Sequence, residues 1–213
     1  MCISKSEIAI ILRIIILTPV TVLGLYACAS GQPLDIEAAR SMVRNAWQAN
    51  QHIVWEIEWP AAPIGGPLTV ETWRVDERYR YEILEATAPA LVGQTLVFDG
   101  QTAWQFNRFD PELPLVLASP ALSPVSDAFA VIDALVTTRP LTANQAEVRL
   151  SHGPAQKIIL TFENNESLTF WVDHASGLPS RIGFWRRGQE ARLQARSLER
   201  LPAPPAALFE VDR

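Results

Sequence analysis

Residues 168–185 read LTFWVDHASGLPSRIGFW. Leu168, Phe170 and Val172 alternate with Thr169, Trp171 and Asp173, the period-two pattern of a strand whose two faces meet different surroundings. Ala175, Ser176 and Gly177 supply a turn, and Gly177 can take the positive φ that a tight reversal needs. The return arm starts after Pro179, with Ile182 and Phe184 on one face and Arg181 and Trp185 on the other. A second hairpin follows the same grammar over residues 95–107 and turns at Asp99-Gly100. The chain is therefore expected to be an antiparallel sheet assembled hairpin by hairpin.

Working outward, residues 53–59 alternate Ile53, Trp55, Ile57 and Trp59 against Val54, Glu56 and Glu58. Residues 68–75 form a strand whose facing is ambiguous, because Trp73 and Val75 share a face with Glu71. Tyr79, Tyr81 and Ile83 then oppose Arg78, Arg80 and Glu82. Pro111, Pro114, Pro120 and Pro124 exclude a central strand or an ordinary helix from 109–125. Further strands are expected at 147–150, 156–162 and 192–197, with 141–146 as a loop. Two helices interrupt them. Over 35–50, Ile36, Ala39, Val43, Ala46 and Trp47 recur at helical spacing behind a candidate N-cap, Asp35. Over 126–137 the apolar set is Phe129, Ile132, Ala134 and Leu135.

The expected fold is mainly β: a curved antiparallel sheet of 10–11 strands with an N-terminal helix and a short second helix over one face. At 213 residues, 48% of them hydrophobic and 19% charged, the chain suits one domain behind a short leader. A formal charge of −5 argues against nucleic acid as a partner, since phosphate binding needs clustered Lys and Arg. The chain is read as a monomer.

The leader carries Lys5 and Arg13 ahead of an apolar run, 14–25, and small residues, which reads as a secretory signal peptide over 1–27. Leu25-Tyr26-Ala27-Cys28 is similar to the bacterial lipobox, with Tyr26 bulkier than usual there. Cys28 would then be the lipid-attachment residue, 28–34 a tether and 35–213 the domain, placing the protein outside the cytoplasm on a bacterial membrane. Both cysteines, Cys2 and Cys28, precede the domain, so it has no thiolate metal site or disulfide.

Three motifs resemble the LolA/LolB group of lipoprotein carriers and the related sensor domains of anti-sigma regulators. They are Tyr79-Arg80-Tyr81, the Asp-Gly hairpin over 96–104 that ends in Trp104, and the 170–179 strand with its Asp and Gly-Leu-Pro turn. Leu208-Phe209-Glu210-Val211 sits where the family's last strand contains a Phe. The resemblance covers 35–211. It implies an unclosed β-barrel whose concave face holds acyl chains of lipids or lipoproteins beneath a helical lid. The inward candidates are Trp55, Ile57, Trp59, Tyr79, Tyr81, Ile83, Trp104, Phe106, Phe170, Val172, Ile182 and Phe184. In the LolB branch an apolar loop residue assists delivery into the membrane, and Leu91 with Val92 is the candidate for that loop here. The alternative function is an envelope sensing or interaction module that binds a protein without carrying lipid.

His52, His152 and His174 are isolated from one another, so zinc is unsupported. No nucleophile elbow, phosphate loop or dinucleotide fingerprint is present. No cofactor and no enzymatic activity are expected.

Overall fold

The computed structural model describes residues 32–60, 66–120, 123, 126–202 and 206–211. The leader and Cys28 lie outside the described residues. Among those that are described, no helix is long and apolar enough to cross a membrane.

The described residues form one antiparallel sheet of twelve strands with two α-helices against one of its faces. The strands are β1 (Gln32–Pro33), β2 (Gln51–Glu58), β3 (Leu68–Val75), β4 (Arg78–Ala86), β5 (Gln94–Phe98), β6 (Ala103–Asn107) and β7 (Asp110–Leu117). They continue with β8 (Thr142–Leu150), β9 (Gly153–Thr161), β10 (Ser167–Asp173), β11 (Pro179–Arg186) and β12 (Gln189–Arg200). Their spatial order is β1-β8-β9-β10-β11-β12-β2-β3-β4-β5-β6-β7, so β1 and β7 are edges and the barrel is unclosed. Helix α1 (Ile36–Gln48) precedes β2, and α2 (Asp127–Thr137) lies between β7 and β8.

The two hairpins that decide the fold close for local reasons. Asp99 Oδ1 accepts the amides of Gln101 and Thr102, both at 2.8 Å, and Gly100 takes φ +99°. Asp173 Oδ2 accepts the amide and hydroxyl of Ser176 at 2.8 Å, and Gly177 takes φ +69°. Asp35 caps α1 as expected, accepting the Ala38 amide at 2.9 Å.

Four segments differ from the sequence reading. Residues 142–146 are not a loop but the start of β8, paired with β9, because β9 offers a full-length partner. The proline-rich stretch, read as irregular, contributes β7, and the exclusion of a central strand there holds because β7 is an edge, which needs only one ladder of hydrogen bonds. Leu208 and Phe209 belong to a 3-10 turn (Ala206–Phe209), not a final strand. Gln32–Pro33, assigned to the tether, pair with β8.

Register assigns each residue a face. The inner face carries the rows Trp55–Val70–Ile83 and Leu193–Ile182–Phe170–Ile158. Helices α1 and α2 cover it with Ala39, Val43, Trp47, Phe129, Ile132, Leu135 and Val136, giving one continuous core. The outer face has a smaller cluster, Val75, Val97, Trp104 and Phe209, covered by Leu201, Leu208 and Val211 from the C-terminal segment.

Phe170 is fully buried and meets the Trp47 ring edge-on, with centroids 6.1 Å apart. Phe170→Ala is expected to cost about 3–5 kcal/mol in urea unfolding, because the helix side cannot collapse into the space left.

Candidate functional site

The site is built where α2 crosses β3 and β4. The sequence leaves the facing of β3 ambiguous, and pairing with β2 resolves it, setting Val70 opposite Trp55 and Thr72 opposite Ile53. Thr72 and Arg74 point inward while Trp73 turns outward, stacked on His52 with centroids 4.9 Å apart. Arg74 is thus a cation under the helices, buried beneath the Trp47 ring at 4.6 Å.

One carboxylate answers it. Asp133 of α2 accepts Arg74 Nη1 and Nη2 at 3.2 Å and the Trp47 indole N–H at 2.6 Å, all on Oδ1. Arg74 Nη2 also donates to the Tyr81 hydroxyl at 2.9 Å. Helix α1, the sheet and α2 therefore meet at a single side chain. Burial pushes the Tyr81 phenol up to about 12, against the pull of Arg74 and with the push of Asp133. Burial, together with Tyr81 and Asp133, raises Tyr79 above the ordinary phenol range.

Beside this network a cleft of about 240 Å³ opens between the sheet and α2, lined by Tyr79, Tyr81, Pro120, Ser126, Phe129 and Asp133. Its wall is an aromatic stack. Tyr79 and Tyr81 lie 4.7 Å apart, and Tyr81 and Phe129 4.4 Å apart. This wall is apolar on its faces and polar at the phenol and carboxylate tips.

Of the inward candidates, Tyr79 and Tyr81 line this cleft. Trp55, Ile57, Ile83, Phe170, Ile182 and Phe184 are buried in the main core, with Trp59 and Val172 at its margin. Trp104 and Phe106 are corrected: both lie on the outer face, Trp104 in the second cluster and Phe106 packed against it. The four-residue turn 99–102 pairs Phe98 with Ala103 and Leu96 with Gln105, so Ala103 and Gln105 take the inward positions on β6. Leu91 ends a 3-10 turn (Pro89–Leu91) and is half-buried against the main core. The Val92 carbonyl accepts Asn107 Nδ2 at 3.3 Å. His174 sits at the β10–β11 turn, 3.1 Å from Glu147. No group of three or more His, Cys, Asp or Glu among the described residues could hold a metal ion.

Sequence reasoning missed Arg74, Asp133 and Trp47 as a unit. One signal was available: Asp133 stands four residues after Phe129 and next to Ile132, so a charge sits at the border of the apolar helix stripe.

No protein-family model matches the sequence, and no curated protein matches it. Solved structures share its fold. An uncharacterized conserved protein from Thermus thermophilus is 15% identical, with a TM-score of 0.53 over 83% of this chain and 94% of that one. The MucA/MucB complex of Pseudomonas aeruginosa matches at 18% identity and a TM-score of 0.53 over 84% of this chain. This chain spans 62% of that one's length. A LolA superfamily protein from Nitrosomonas europaea superposes more loosely, at 13% identity and a TM-score of 0.40 over 83% of this chain and 98% of that one. The unclosed sheet with helices on its inner face is the architecture that the LolA/LolB resemblance implies.

Asp133→Ala leaves the Trp47 N–H without its acceptor and Arg74 with only the Tyr81 hydroxyl, so we expect a loss of about 1–3 kcal/mol in chemical denaturation. Tyr81 holds its proton more tightly folded than unfolded, where a phenol titrates near about 10. Its contribution to stability is therefore full below pH ~10 and lost as the pH rises toward about 12. Ultraviolet titration should show Tyr79 and Tyr81 ionising above the ordinary phenol range in the folded protein, and within it once urea is added.

Proposed function

We propose that this chain is an extracytoplasmic lipoprotein, held to a bacterial membrane through Cys28. On this reading it takes acyl chains of lipids or lipoproteins between the sheet and α2, for carriage or acceptance at that membrane. The observation that carries the proposal is the position of α2. Its side chains Phe129, Ile132, Leu135 and Val136 fill the hollow of an apolar sheet. Its polar tie to Arg74 and Trp47 runs through Asp133.

Size sets a condition on the proposal. A cleft of 240 Å³ is smaller than the ~300–1,000 Å³ usual for small-molecule sites. An acyl chain must therefore displace α2 in part and substitute its own methylenes for the helix's apolar side chains. That exchange is nearly balanced, since apolar surface is buried in both states at about 25 cal/mol per Å². The balance makes the cargo releasable. Binding involves no bond making, and the working unit is the monomer.

A second reading is a protein-binding envelope module. It is favoured by the fold shared with MucB, which was solved in complex with MucA. It is also favoured by the β7 edge, where Leu115 and Val116 are exposed.

Titration with a fluorescent fatty acid and native mass spectrometry test the first reading. Saturable uptake is expected, and Asp133→Ala should strengthen it by several-fold because the closed state is weakened. Protein that stays empty in both assays, while a single protein partner is recovered from membranes, would move the assignment to the second reading.

A further inference from the structure

A larger hollow lies away from the helices. A groove of about 580 Å³ runs along the outer face of the sheet where β10, β11, β12 and β2 lie side by side. The C-terminal segment packs on the other part of this face, against the Val75, Val97 and Trp104 cluster. The groove is lined by Trp171, Gly183, Trp185, Arg181, Glu58 and Gln194, among others.

Two features of this groove are not required by the fold. The first is Trp185, which is 43% exposed and whose indole makes no ring contact or hydrogen bond among the described residues. The second is Gly183, in the middle of a central strand and without a positive φ. A Cβ there would meet Trp171 at 3.7 Å and the Ala191 carbonyl at 3.9 Å, both ordinary contacts. Neither backbone geometry nor crowding requires glycine. A strand interior is weakened by it, and such a glycine often marks a place where a ligand approaches closely. The missing side chain keeps the floor open between Trp171 and Trp185.

Charge selects among ligands. Arg181 Nε donates to Gln194 at 2.6 Å, and Arg192 Nε donates to Glu190 at 3.0 Å. With Glu56, Glu58 and Glu190 also in the lining, no surplus of positive charge remains for an anion. A cation finds Trp171 already taken, with Arg181 5.6 Å and Lys157 5.4 Å from the ring centroid. The charged rim disfavours a lipid tail, which would desolvate those groups without partners. A neutral polyol fits. The C–H face of a sugar ring lies flat on an exposed indole, and its hydroxyls both donate and accept, matching carboxylates, an amide and guanidinium groups at the rim.

We propose that this outer groove is a carbohydrate-binding site for a short, uncharged oligosaccharide, with Trp185 as the stacking platform and Gly183 as the open floor. It is separate from the cleft under α2, so the chain has a sugar face and an apolar face on opposite sides of one sheet.

The test is titration of the full chain, in a detergent without a sugar headgroup, with cellotriose, maltotriose and chitotriose at up to millimolar concentrations, read by calorimetry and tryptophan fluorescence. At least one trisaccharide should bind saturably. Trp185→Ala should weaken it on the order of tenfold, and Trp185→Tyr should retain most of it. Gly183→Val should abolish it, while thermal unfolding and fatty-acid uptake stay as in the parent. The proposal is overturned if none of the three sugars binds, or if Trp185→Ala leaves binding unchanged. It is equally overturned if choline or inorganic phosphate binds the groove in their place.

Discussion

Alternation is the constraint from which the rest of this structure follows. In a single antiparallel sheet every second side chain is committed to one face, and the ladder hydrogen bonds carry that commitment from strand to strand. Trp55, Val70 and Ile83 are in one row because pairing leaves them nowhere else. Twelve strands committed in this way make an apolar surface too large to leave wet, and the chain supplies two helices to cover it. The sheet ends at β1 and β7 without closing, so the hollow is roofed by helices rather than by strands.

The roof is held in an unequal way. Helix α1 is joined directly to β2 and packs against β8, β9 and α2. Helix α2 arrives by longer connections, and its Asp133 carboxylate bonds both Trp47 of α1 and the Arg74 charge buried beneath the helices. A buried guanidinium that lost this partner would be costly, so the network favours the closed arrangement beyond what apolar packing alone provides. Apolar contacts are interchangeable with one another. The Asp133 contacts are not, and they fix where α2 sits on the sheet.

The two faces differ in chemistry for the same geometric reason. Residues next to each other in sequence, Phe170 and Trp171 or Phe184 and Trp185, are sent to opposite sides. The inner member of each pair is sealed in the core, and the outer member stands among arginines and glutamates. One short hairpin thus contributes to both the apolar interior and a mixed polar and aromatic exterior.

The sequence by itself determined two of the hairpins, the two helices and the antiparallel order of the strands. Their signals are local: Asp99-Gly100, the Asp173–Gly177 turn, Asp35 as a cap, and period-two patterns such as that of Ile53, Trp55 and Ile57. Tertiary structure alone decided the faces of β3 and β6, where pairing with β2 and a four-residue turn respectively set the phase of alternation. Trp104 and Phe106 look inward by composition and are outward by register. Composition also could not show that Arg74 and Asp133, 59 residues apart, would meet under Trp47. Nor could it show that Gly183 would leave a floor between two tryptophans. Local pattern fixes what an element is, whereas facing and encounter depend on the pairing register of strands distant in the chain.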